Sequence, residues 1–369
     1  MVIAKMTDVV CSDVLIVTGT RPEIIKMAPV YFSLKAQGSA VVWCHTGQHD
    51  SLAEQTFDVF SIRPDFILQR PQGDGVSGLV SGLIDSISEL LLQHPFKAVL
   101  VHGDTATTFT GALAAFYQRV PIIAHVEAGL RSGNMQHPFP EESNRQMVAR
   151  IANLHFAPTA GAHQALVQEG ISSQHIHLTG NTAIDAQVHL LTQGKVETKR
   201  SNKVLVTAHR RENWTNIATI CQAVKQLSAL RTDLEFVFAV HPNPQVKQQV
   251  LQALEGIERV TVSEPLDYLE LQQCLAEACL VLTDSGGIQE EAPTFGTRVV
   301  VLRETTERPE AVAKGYSVLS GADKLDRIVT SALEMLSLGS FSQQDNPFGD
   351  GKASEQIAHV ISEACRELS

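Results

Sequence analysis

Short runs of β-branched and other apolar residues alternate along this chain with longer amphipathic segments, from about Asp13 onwards. The amphipathic segments include 76–92 and 105–118, and the stretch 158–178 has the pattern of one more helix and strand. The apolar runs of the first half predict strands at 14–17, 40–44, 97–101, 121–126 and 153–157. This alternation is typical of βαβ units around a parallel sheet.

The same alternation begins again after a polar stretch at 180–202, with apolar runs at 203–208, 234–240, 259–262, 279–284 and 297–302. A chain of 369 residues is also near the size at which one core divides into two. We therefore predict an α/β fold of two Rossmann-like, doubly wound domains, 1–180 and 181–369. Ligands of such sheets bind beyond the carboxyl ends of the strands, here in the cleft between the domains.

Composition excludes several classes of function. The 40 acidic against 29 basic residues give a net charge of -11, which opposes binding to nucleic acid. No run approaches the 18 apolar residues of a membrane span, and acids interrupt the start of the chain, so we expect a cytoplasmic protein with no membrane partner. The six cysteines are scattered and form no C-x-x-C pair, which predicts buried thiols and no metal site.

Acidic residues follow three of the predicted elements in the first half: Asp104, Glu127 and Glu141. Each has a purely structural alternative. Asp104 could cap the helix after it, Glu127 could pair with Arg131, and Glu141 could complement the dipole of a helix that starts with proline. Three separated acids at the ends of elements predicted to face the ligand nevertheless favour a role in acid/base catalysis over a chance arrangement.

Basic residues and glycines occupy other strand ends. A Gly turn with Arg21 and Lys26 would suit a diphosphate, although it could be a simple strand-to-helix turn. In the second half, His209 can titrate near neutrality and Arg210 can bind phosphate, unless the loop is only solvated. His241 lies in a rigid loop between prolines.

A Ser285-Gly286-Gly287 turn before a predicted helix could cradle phosphate on backbone N–H groups, with Glu291 one turn later on a ribose. The alternative is an ordinary Ser N-cap. His45 and His49, four apart, are more simply a polar lining than metal ligands. The chain has no G-x-G-x-x-G, no G-x-S-x-G and no P-loop, so dehydrogenase, hydrolase and kinase interpretations lose their usual support.

These residues stand within ordered motifs: GTRPEIIKMAP, TGQH, HGDTATTF, HVEAGLRSG, PFPEESNR, TGNTAID, VTAHRREN, LTDSGGIQEEAP and VLRETTERPE. From about residue 14 the chain resembles the non-hydrolysing UDP-N-acetylglucosamine 2-epimerases over nearly its whole length. The resemblance implies two Rossmann-like domains similar to GT-B glycosyltransferases, with UDP bound mainly by the second domain. It also implies a final helix, at about 354–367, that packs back on the first domain.

The resemblance implies interconversion of UDP-N-acetylglucosamine and UDP-N-acetylmannosamine by elimination of UDP to 2-acetamidoglucal and re-addition, without metal or nicotinamide. By motif, Asp104, Glu127 and Glu141 correspond to the acid/base groups and His209 to the group that assists departure of UDP. Glu291 would hold the ribose. The residues expected around the sugar and diphosphate are Arg21, Lys26, Arg145, Arg210, His241, Ser285, Gly286, Gly287 and Arg308.

Further family properties are a homodimer, a role in surface polysaccharide synthesis, and a second UDP-N-acetylglucosamine bound as activator in segments that contain Gln48 and Arg210. Where the family would have another glutamine near Gln48, this chain has Ser51. Alternatives are a hydrolysing 2-epimerase, a GT-B transferase with the same UDP site, a nucleotide-sugar sensor without turnover, and an epimerase for a modified UDP-sugar.

Overall fold

A computed structural model describes residues 3–4, 13–47, 50–71, 75–341 and 346–368. The chain divides into two compact units: a first unit of residues 1–186 and 348–369, and a second unit of residues 187–347. The sequence placed the domain boundary at 180, and the units divide after Ala186.

The first unit has a sheet in which the described part of the chain contributes eight strands, in the order β1-β4-β3-β2-β5-β6-β7-β8. All neighbours are parallel except β1 and β4, which pair antiparallel. The strands are β1 (Ile3–Ala4), β2 (Val14–Thr18), β3 (Val41–His45), β4 (Phe66–Ile67), β5 (Ala98–His102), β6 (Ile122–Val126), β7 (Leu154–Ala157) and β8 (Ile176–Leu178).

Helices connect these strands. They are α1 (Arg21–Ala36), α2 (Asp50–Val59), α3 (Gly75–Gln93), α4 (Ala106–Tyr117), α5 (Glu141–Ile151) and α6 (Ala160–Gln168), followed by α7 (Thr182–Thr192), along which the chain passes into the second unit. A short 3-10 turn, Ser173–His175, precedes β8. The central strands β2, β5 and β6 are buried over their whole length, as expected of parallel strands covered on both faces.

The second unit has a six-stranded parallel sheet in the order β11-β10-β9-β12-β13-β14. The strands are β9 (Lys203–Thr207), β10 (Glu235–Ala239), β11 (Val260–Ser263), β12 (Ala278–Thr283), β13 (Arg298–Val301) and β14 (Ser317–Leu319). The helices are α8 (Ile217–Leu230), α9 (Pro244–Leu254), α10 (Tyr268–Glu277), α11 (Gly286–Glu291), α12 (Pro309–Ala313) and α13 (Leu325–Leu338), with 3-10 turns at Arg211–Asn216 and Ala292–Phe295.

The chain then returns to the first unit with a last helix, α14 (Ala353–Glu367). The Asp185 carboxylate accepts a hydrogen bond from the backbone N–H of Ser354 at 2.7 Å, and the Ser354 hydroxyl meets that of Ser33 on α1 at 3.1 Å. Asn181 donates its N–H to the Phe348 carbonyl at 2.7 Å. Helix α14 is thus an integral part of the first unit and packs on α1.

Among the described residues, only α3 has the length and apolar composition that a membrane span needs. Four of its side chains, Leu83, Ile87, Leu90 and Leu91, are buried in the core of the first unit, where α3 packs on α4. Core packing therefore accounts for part of the apolar composition of α3, of which 22% of the span-length window is buried.

The predicted fold class, α/β with two Rossmann-like units, is confirmed. All ten predicted apolar runs form strands within one or two residues of the predicted bounds. The short strands β1, β4 and β14 were not predicted, and the polar stretch 180–202 that was interpreted as a boundary contains helix α7. The carboxyl ends of the strands bring the candidate residues of each unit together.

Candidate active site

Asp104 follows β5 and belongs to the turn before α4. Its carboxylate pairs with Arg145 of α5, with 2.5 Å between Oδ2 and Nη2, and its carbonyl accepts a hydrogen bond from the Asn144 side chain at 2.8 Å. The N-cap of α4 is Thr105, whose hydroxyl accepts the Thr108 N–H at 3.2 Å. The alternative that Asp104 caps this helix is therefore wrong, and its carboxylate faces α5.

Glu127 follows β6 in the left-handed region, with φ of +63°. This backbone conformation is uncommon for a residue other than glycine and tends to occur at functional sites. The carboxylate forms an ion pair with Lys26 of α1, and His102 Nε2 lies 3.7 Å from its Oε2. Arg131 pairs with Glu169 instead, at 2.6 Å, so the alternative of a Glu127–Arg131 pair is wrong.

Glu141 and Glu142 begin α5 but have different surroundings. Glu142 is fully buried and accepts hydrogen bonds from Ser132, Arg145 and Gln146 at 3.0–3.1 Å. Burial raises the pKa of Glu142, but these hydrogen bonds outweigh it and hold the pKa below its ordinary value. Glu141 has a buried Oε2 with no hydrogen-bond partner among the described residues. The two carboxylates thus differ: both oxygens of Glu142 accept hydrogen bonds, whereas Oε2 of Glu141 does not.

Arg145 and Lys26 were predicted to contact the sugar or diphosphate. In the first unit Arg145 bridges two carboxylates, those of Asp104 and Glu142, which together raise its pKa against the effect of burial. Lys26 is paired with Glu127. Arg21 is the first residue of α1. Two of the predicted cations are thus paired with candidate acids, and the two ion pairs, Lys26–Glu127 and Arg145–Asp104, lie at the carboxyl ends of the neighbouring strands β6 and β5.

A buried imidazole supports the same edge. His125 of β6 donates its Nε2–H to the Gly103 carbonyl at 2.7 Å, next to Asp104. Burial lowers the pKa of His125 to about 3, and it lowers that of His155, its register partner on β7, to about 4. Both rings are therefore neutral in the folded chain at neutral pH.

These two histidines predict a loss of stability in mild acid. An unfolded imidazole titrates near pH 6.5, so between roughly pH 6 and pH 4 the unfolded chain binds protons that the folded chain does not. We expect the free energy of unfolding to fall by about 1.4 kcal/mol per pH unit for each histidine in that window. Urea unfolding at a series of pH values measures it. His125→Gln should make the decline shallower, whereas His359→Gln, on the exposed part of α14, should leave the slope unchanged.

In the second unit a buried aspartate organises the end of β9. Asp284 is fully buried, and its carboxylate accepts the backbone N–H groups of His209 and Arg210 at 2.9 and 3.0 Å and the Asn213 amide at 2.9 Å. Arg210 Nε also donates to the Asp284 carbonyl at 3.1 Å. The backbone of this loop is therefore fixed to the turn after β12, which the alternative of a merely solvated loop does not require.

His209 and His241 lie side by side, with 5.7 Å between ring centroids, and Trp214 contacts His241 at 5.4 Å. The His241 Nδ1 accepts the Asn243 N–H at 3.0 Å, which leaves Nε2 as the protonated nitrogen of the neutral ring. The loop after β10 therefore brings a second imidazole to His209.

Ser285 is the N-cap of α11, where its hydroxyl meets the Ile288 N–H at 3.5 Å, so the predicted cap exists. Arg308 packs over Gly286: a Cβ on Gly286 would lie 2.9 Å from the guanidinium carbon. Arg308 is in turn held by Glu290, which is 3% exposed, at 2.7 Å. A side chain at 286 would therefore displace the Arg308 guanidinium from its present position.

Glu291 is oriented by two buried glutamines. Gln272 donates to the Glu291 Oε2 at 2.8 Å and accepts from the Gln187 amide at 2.6 Å. The Gln187 side-chain amide also donates to the Glu291 carbonyl at 3.2 Å. A carboxylate fixed in this way can present its other oxygen to a hydroxyl group.

Two further predictions concern the activator site near Gln48 and the pair His45 and His49. Gln48 and His49 lie outside the described residues, and His45 ends β3 as a buried side chain. Within the described ranges, no three or more His, Cys, Asp or Glu side chains are grouped as metal ligands.

Sequence reasoning missed the residues whose hydrogen bonds fix the candidate site residues or their turns: Glu23, His125, Asn144, Gln272 and Asp284. Only Glu23 had a local signal, since Thr20 and Glu23 match the T-x-x-E pattern of a capping box. The others bind partners that are distant in the sequence.

Comparison with known proteins gives one family. The family model described as UDP-N-acetylglucosamine 2-epimerase matches residues 33–362. The UDP-N-acetylglucosamine 2-epimerase of Salmonella typhimurium is 41% identical over 369 residues, and the alignment covers 94% of this chain and 98% of the relative.

Solved structures agree. The Neisseria meningitidis UDP-GlcNAc 2-epimerase bound to UDP-GlcNAc is 36% identical with a TM-score of 0.84, over 95% of this chain and 100% of that one. The Methanocaldococcus jannaschii UDP-GlcNAc 2-epimerase in complex with UDP-GlcNAc and UDP is 31% identical with a TM-score of 0.81, over 95% and 99% of the two chains. With similarity of this extent in sequence and fold, the chain belongs to the UDP-N-acetylglucosamine 2-epimerase family.

Proposed function

We propose that this chain is a non-hydrolysing epimerase that interconverts UDP-N-acetylglucosamine and UDP-N-acetylmannosamine. The observation that carries the proposal is the set of three carboxylates in a member of this family: Asp104 and Glu127 follow strands β5 and β6 of the first unit, and Glu141 begins helix α5. A related enzyme has been crystallised with UDP-GlcNAc, which supports a UDP-sugar as substrate here.

The chemistry explains why several acids are needed. The hydrogen on C2 of the sugar is not acidic, because no adjacent carbonyl stabilises the carbanion. Elimination of UDP across C1 and C2 avoids that carbanion and gives 2-acetamidoglucal; re-addition with the proton on the other face of C2 gives the epimer. This route needs proton donors and acceptors for both faces and cations for the departing diphosphate.

The surroundings of the three acids support such a division of labour. Glu127 is paired with Lys26, and Asp104 with Arg145, so each of these two carboxylates is held by a cation from a neighbouring helix. Glu141 has a buried, unpartnered Oε2, which suits a carboxyl that carries a proton in one half of the reaction. Which acid serves which face of C2 is left open by the proposal.

The second unit would hold UDP. The N–H groups of the Ser285-Gly286-Gly287 turn and the guanidinium of Arg308 provide donors and positive charge for the diphosphate, with Arg210 beside Asp284. Glu291, oriented by Gln272, would accept the ribose hydroxyls. His209, next to His241, would assist the departure and return of UDP.

Product identification tests this function. The purified chain is incubated with UDP-N-acetylglucosamine without added metal or cofactor, and the mixture is followed by proton and phosphorus NMR. We expect an equilibrium mixture with UDP-N-acetylmannosamine and no free UDP accumulating. Free N-acetylmannosamine and UDP would indicate a hydrolysing enzyme; transfer of the sugar to an added acceptor would indicate a transferase. Binding without turnover would indicate a sensor or an epimerase for a modified UDP-sugar.

A second experiment tests the elimination step. Substrate with oxygen-18 in the bridge between C1 and the β-phosphorus is recovered after incubation. If the C1–O bond breaks, the freed β-phosphate can rotate and the label will spread to its non-bridging oxygens, which shifts the phosphorus NMR signal. A label that stays in the bridge during complete epimerisation would rule out elimination.

The proposal includes the wider family expectations. UDP-N-acetylmannosamine would supply surface polysaccharide synthesis, the enzyme would act as a homodimer, and a second UDP-N-acetylglucosamine would bind as activator near Gln48 and Arg210. Arg210 is held at the end of β9 by Asp284, which is consistent with a role in binding an anionic ligand.

A further inference from the structure

Glu23, in the first turn of α1, is a buried carboxylate with partners on two separate turns. It is 2% exposed. Its Oε2 accepts the backbone N–H groups of Gly19 and Thr20 at 2.8 and 2.5 Å, and its Oε1 accepts the hydroxyl of Thr105 at 2.6 Å. The first two bonds belong to the turn that α1 begins, whereas Thr105 lies 82 residues further along the chain.

A capping box alone does not require this arrangement. Such a box needs the glutamate to reach back to its own helix, which the bond from Thr20 already does. Burial raises the pKa of Glu23 and makes the charged form costly, and the hydrogen bonds from Thr105, Gly19 and Thr20 oppose that shift. The bond to Thr105 therefore links the turn after β2 to the turn after β5 through a fully desolvated acceptor.

Thr105 directly follows Asp104, so this link acts on the backbone that carries the candidate acid. The Thr105 hydroxyl donates to Glu23 and accepts the N–H of Thr108, which fixes the start of α4. The same Asp104–Thr105 peptide is held from α5, because Asn144 donates to the Asp104 carbonyl at 2.8 Å. The backbone directly after the Asp104 side chain is thus fixed from α1, through Thr105, and from α5, whereas the peptide before it is held by His125 through the Gly103 carbonyl at 2.7 Å.

We propose that Glu23 is a positioning residue. Through the Thr105 hydroxyl, it holds the Asp104 carboxylate at a fixed position relative to the turn before Arg21, as proton transfer requires. The inference rests on the proposed epimerase function. Proton transfer requires donor and acceptor within hydrogen-bond distance, and a misplacement of about 1 Å can reduce the rate about 100-fold. A residue of this kind affects kcat and leaves the UDP contacts of the second unit unchanged.

The test uses three variants in the full chain. Thr105→Val removes the hydroxyl and keeps the shape, Thr105→Ser restores it, and Thr159→Val is the matched control. Thr159 is also an N-cap of the first unit, since its hydroxyl accepts the Ala162 N–H at 3.2 Å, but it caps α6 and, in the part of the chain that the structure describes, forms no hydrogen bond with Glu23. Both valine variants remove one N-cap, and Thr105→Val should lose the more stability of the two because it also removes a donor to the buried Glu23 carboxylate, so kcat is compared at a temperature at which both variants are folded.

We expect Thr105→Val to lower kcat by about 10- to 100-fold, with KM and the Kd for UDP within about twofold. Thr105→Ser should recover most of kcat, and Thr159→Val should match the wild type at a temperature well below its melting point. Glu23→Gln should lower kcat in the same way, because the amide would place N–H donors where the acceptor stands.

The outcomes separate the two hypotheses. If the wild type interconverts the sugars and Thr105→Val keeps the kcat of Thr159→Val, the positioning role is wrong and the proposed function stands. If Thr105→Ser fails to restore kcat, the hydroxyl is not the link and the positioning role is also wrong. A wild-type chain that binds UDP without epimerising would overturn the function and the inference together.

Discussion

Asp104→Asn is expected to reduce kcat for epimerisation by about 100-fold or more, because the amide can neither accept nor donate the transferred proton as a carboxyl does. The change is nearly isosteric, and the hydrogen bond from Asn144 goes to the backbone carbonyl, which the substitution leaves in place. The Kd for UDP, measured by calorimetry, should therefore stay within a few-fold of the wild type. Equal losses are expected for Glu127→Gln and Glu141→Gln.

A second Asp–Arg pair of the same unit provides the control. Asp58 pairs with Arg63 on the exposed end of α2, where the two side chains are 54% and 67% exposed. Asp58→Asn removes the same charge from the same kind of pair and should leave kcat unchanged, since exposed pairs contribute little to stability. If Asp104→Asn also turned over at the wild-type rate, Asp104 would be excluded from the acid/base set.

Gly286→Ala is expected to weaken UDP binding by about tenfold or more. The new Cβ would lie 2.9 Å from the guanidinium carbon of Arg308, so the guanidinium would have to shift from its position beside the buried Glu290, where it is available to the diphosphate. Overpacking of this kind typically costs about 1–3 kcal/mol, and about 1.4 kcal/mol corresponds to a factor of ten in affinity. Calorimetric titration with UDP at fixed pH and salt measures the effect.

The adjacent glycine is the natural comparison. A Cβ on Gly287 would meet only the Ser285 hydroxyl, at 3.9 Å, which is an ordinary contact. Gly287→Ala should therefore weaken binding much less than Gly286→Ala. Equal losses for the two variants would mean that the cradle needs glycine at both positions for another reason, and that the Arg308 contact does not determine affinity.

The periodicity of the sequence predicted most of the fold because the central strands are buried on both faces and therefore consist almost entirely of apolar residues. Strands β2, β5 and β9 show this directly. The short strands β4 and β14 lacked such a run. Helix α7 was missed because it carries buried polar side chains, Asp185 and Gln187, whose partners lie elsewhere in the fold.

The predicted strand ends identified candidate acids, but the local sequence did not determine whether each acid has a catalytic or a purely structural role. In Asp104-Thr105 either residue could cap a helix, and the geometry selects Thr105. The partner of Glu127 proved to be Lys26, 101 residues away, and not the nearby Arg131. The left-handed backbone of Glu127 has no compositional signal at all. Contacts between residues so distant in the sequence depend on which strands are neighbours in the sheet, and a local sequence pattern does not contain that information.

Deuterium at C2 tests the central claim most directly, namely that carboxylates at the strand ends of the first unit remove and return the C2 proton. Proton NMR of the wild-type chain with UDP-N-acetylglucosamine in deuterated water should show UDP-N-acetylmannosamine with deuterium at C2, and Asp104→Asn, Glu127→Gln and Glu141→Gln should slow its appearance. Epimerisation that retains the original hydrogen at C2, or exchange at wild-type rate in all three variants, would contradict the claim.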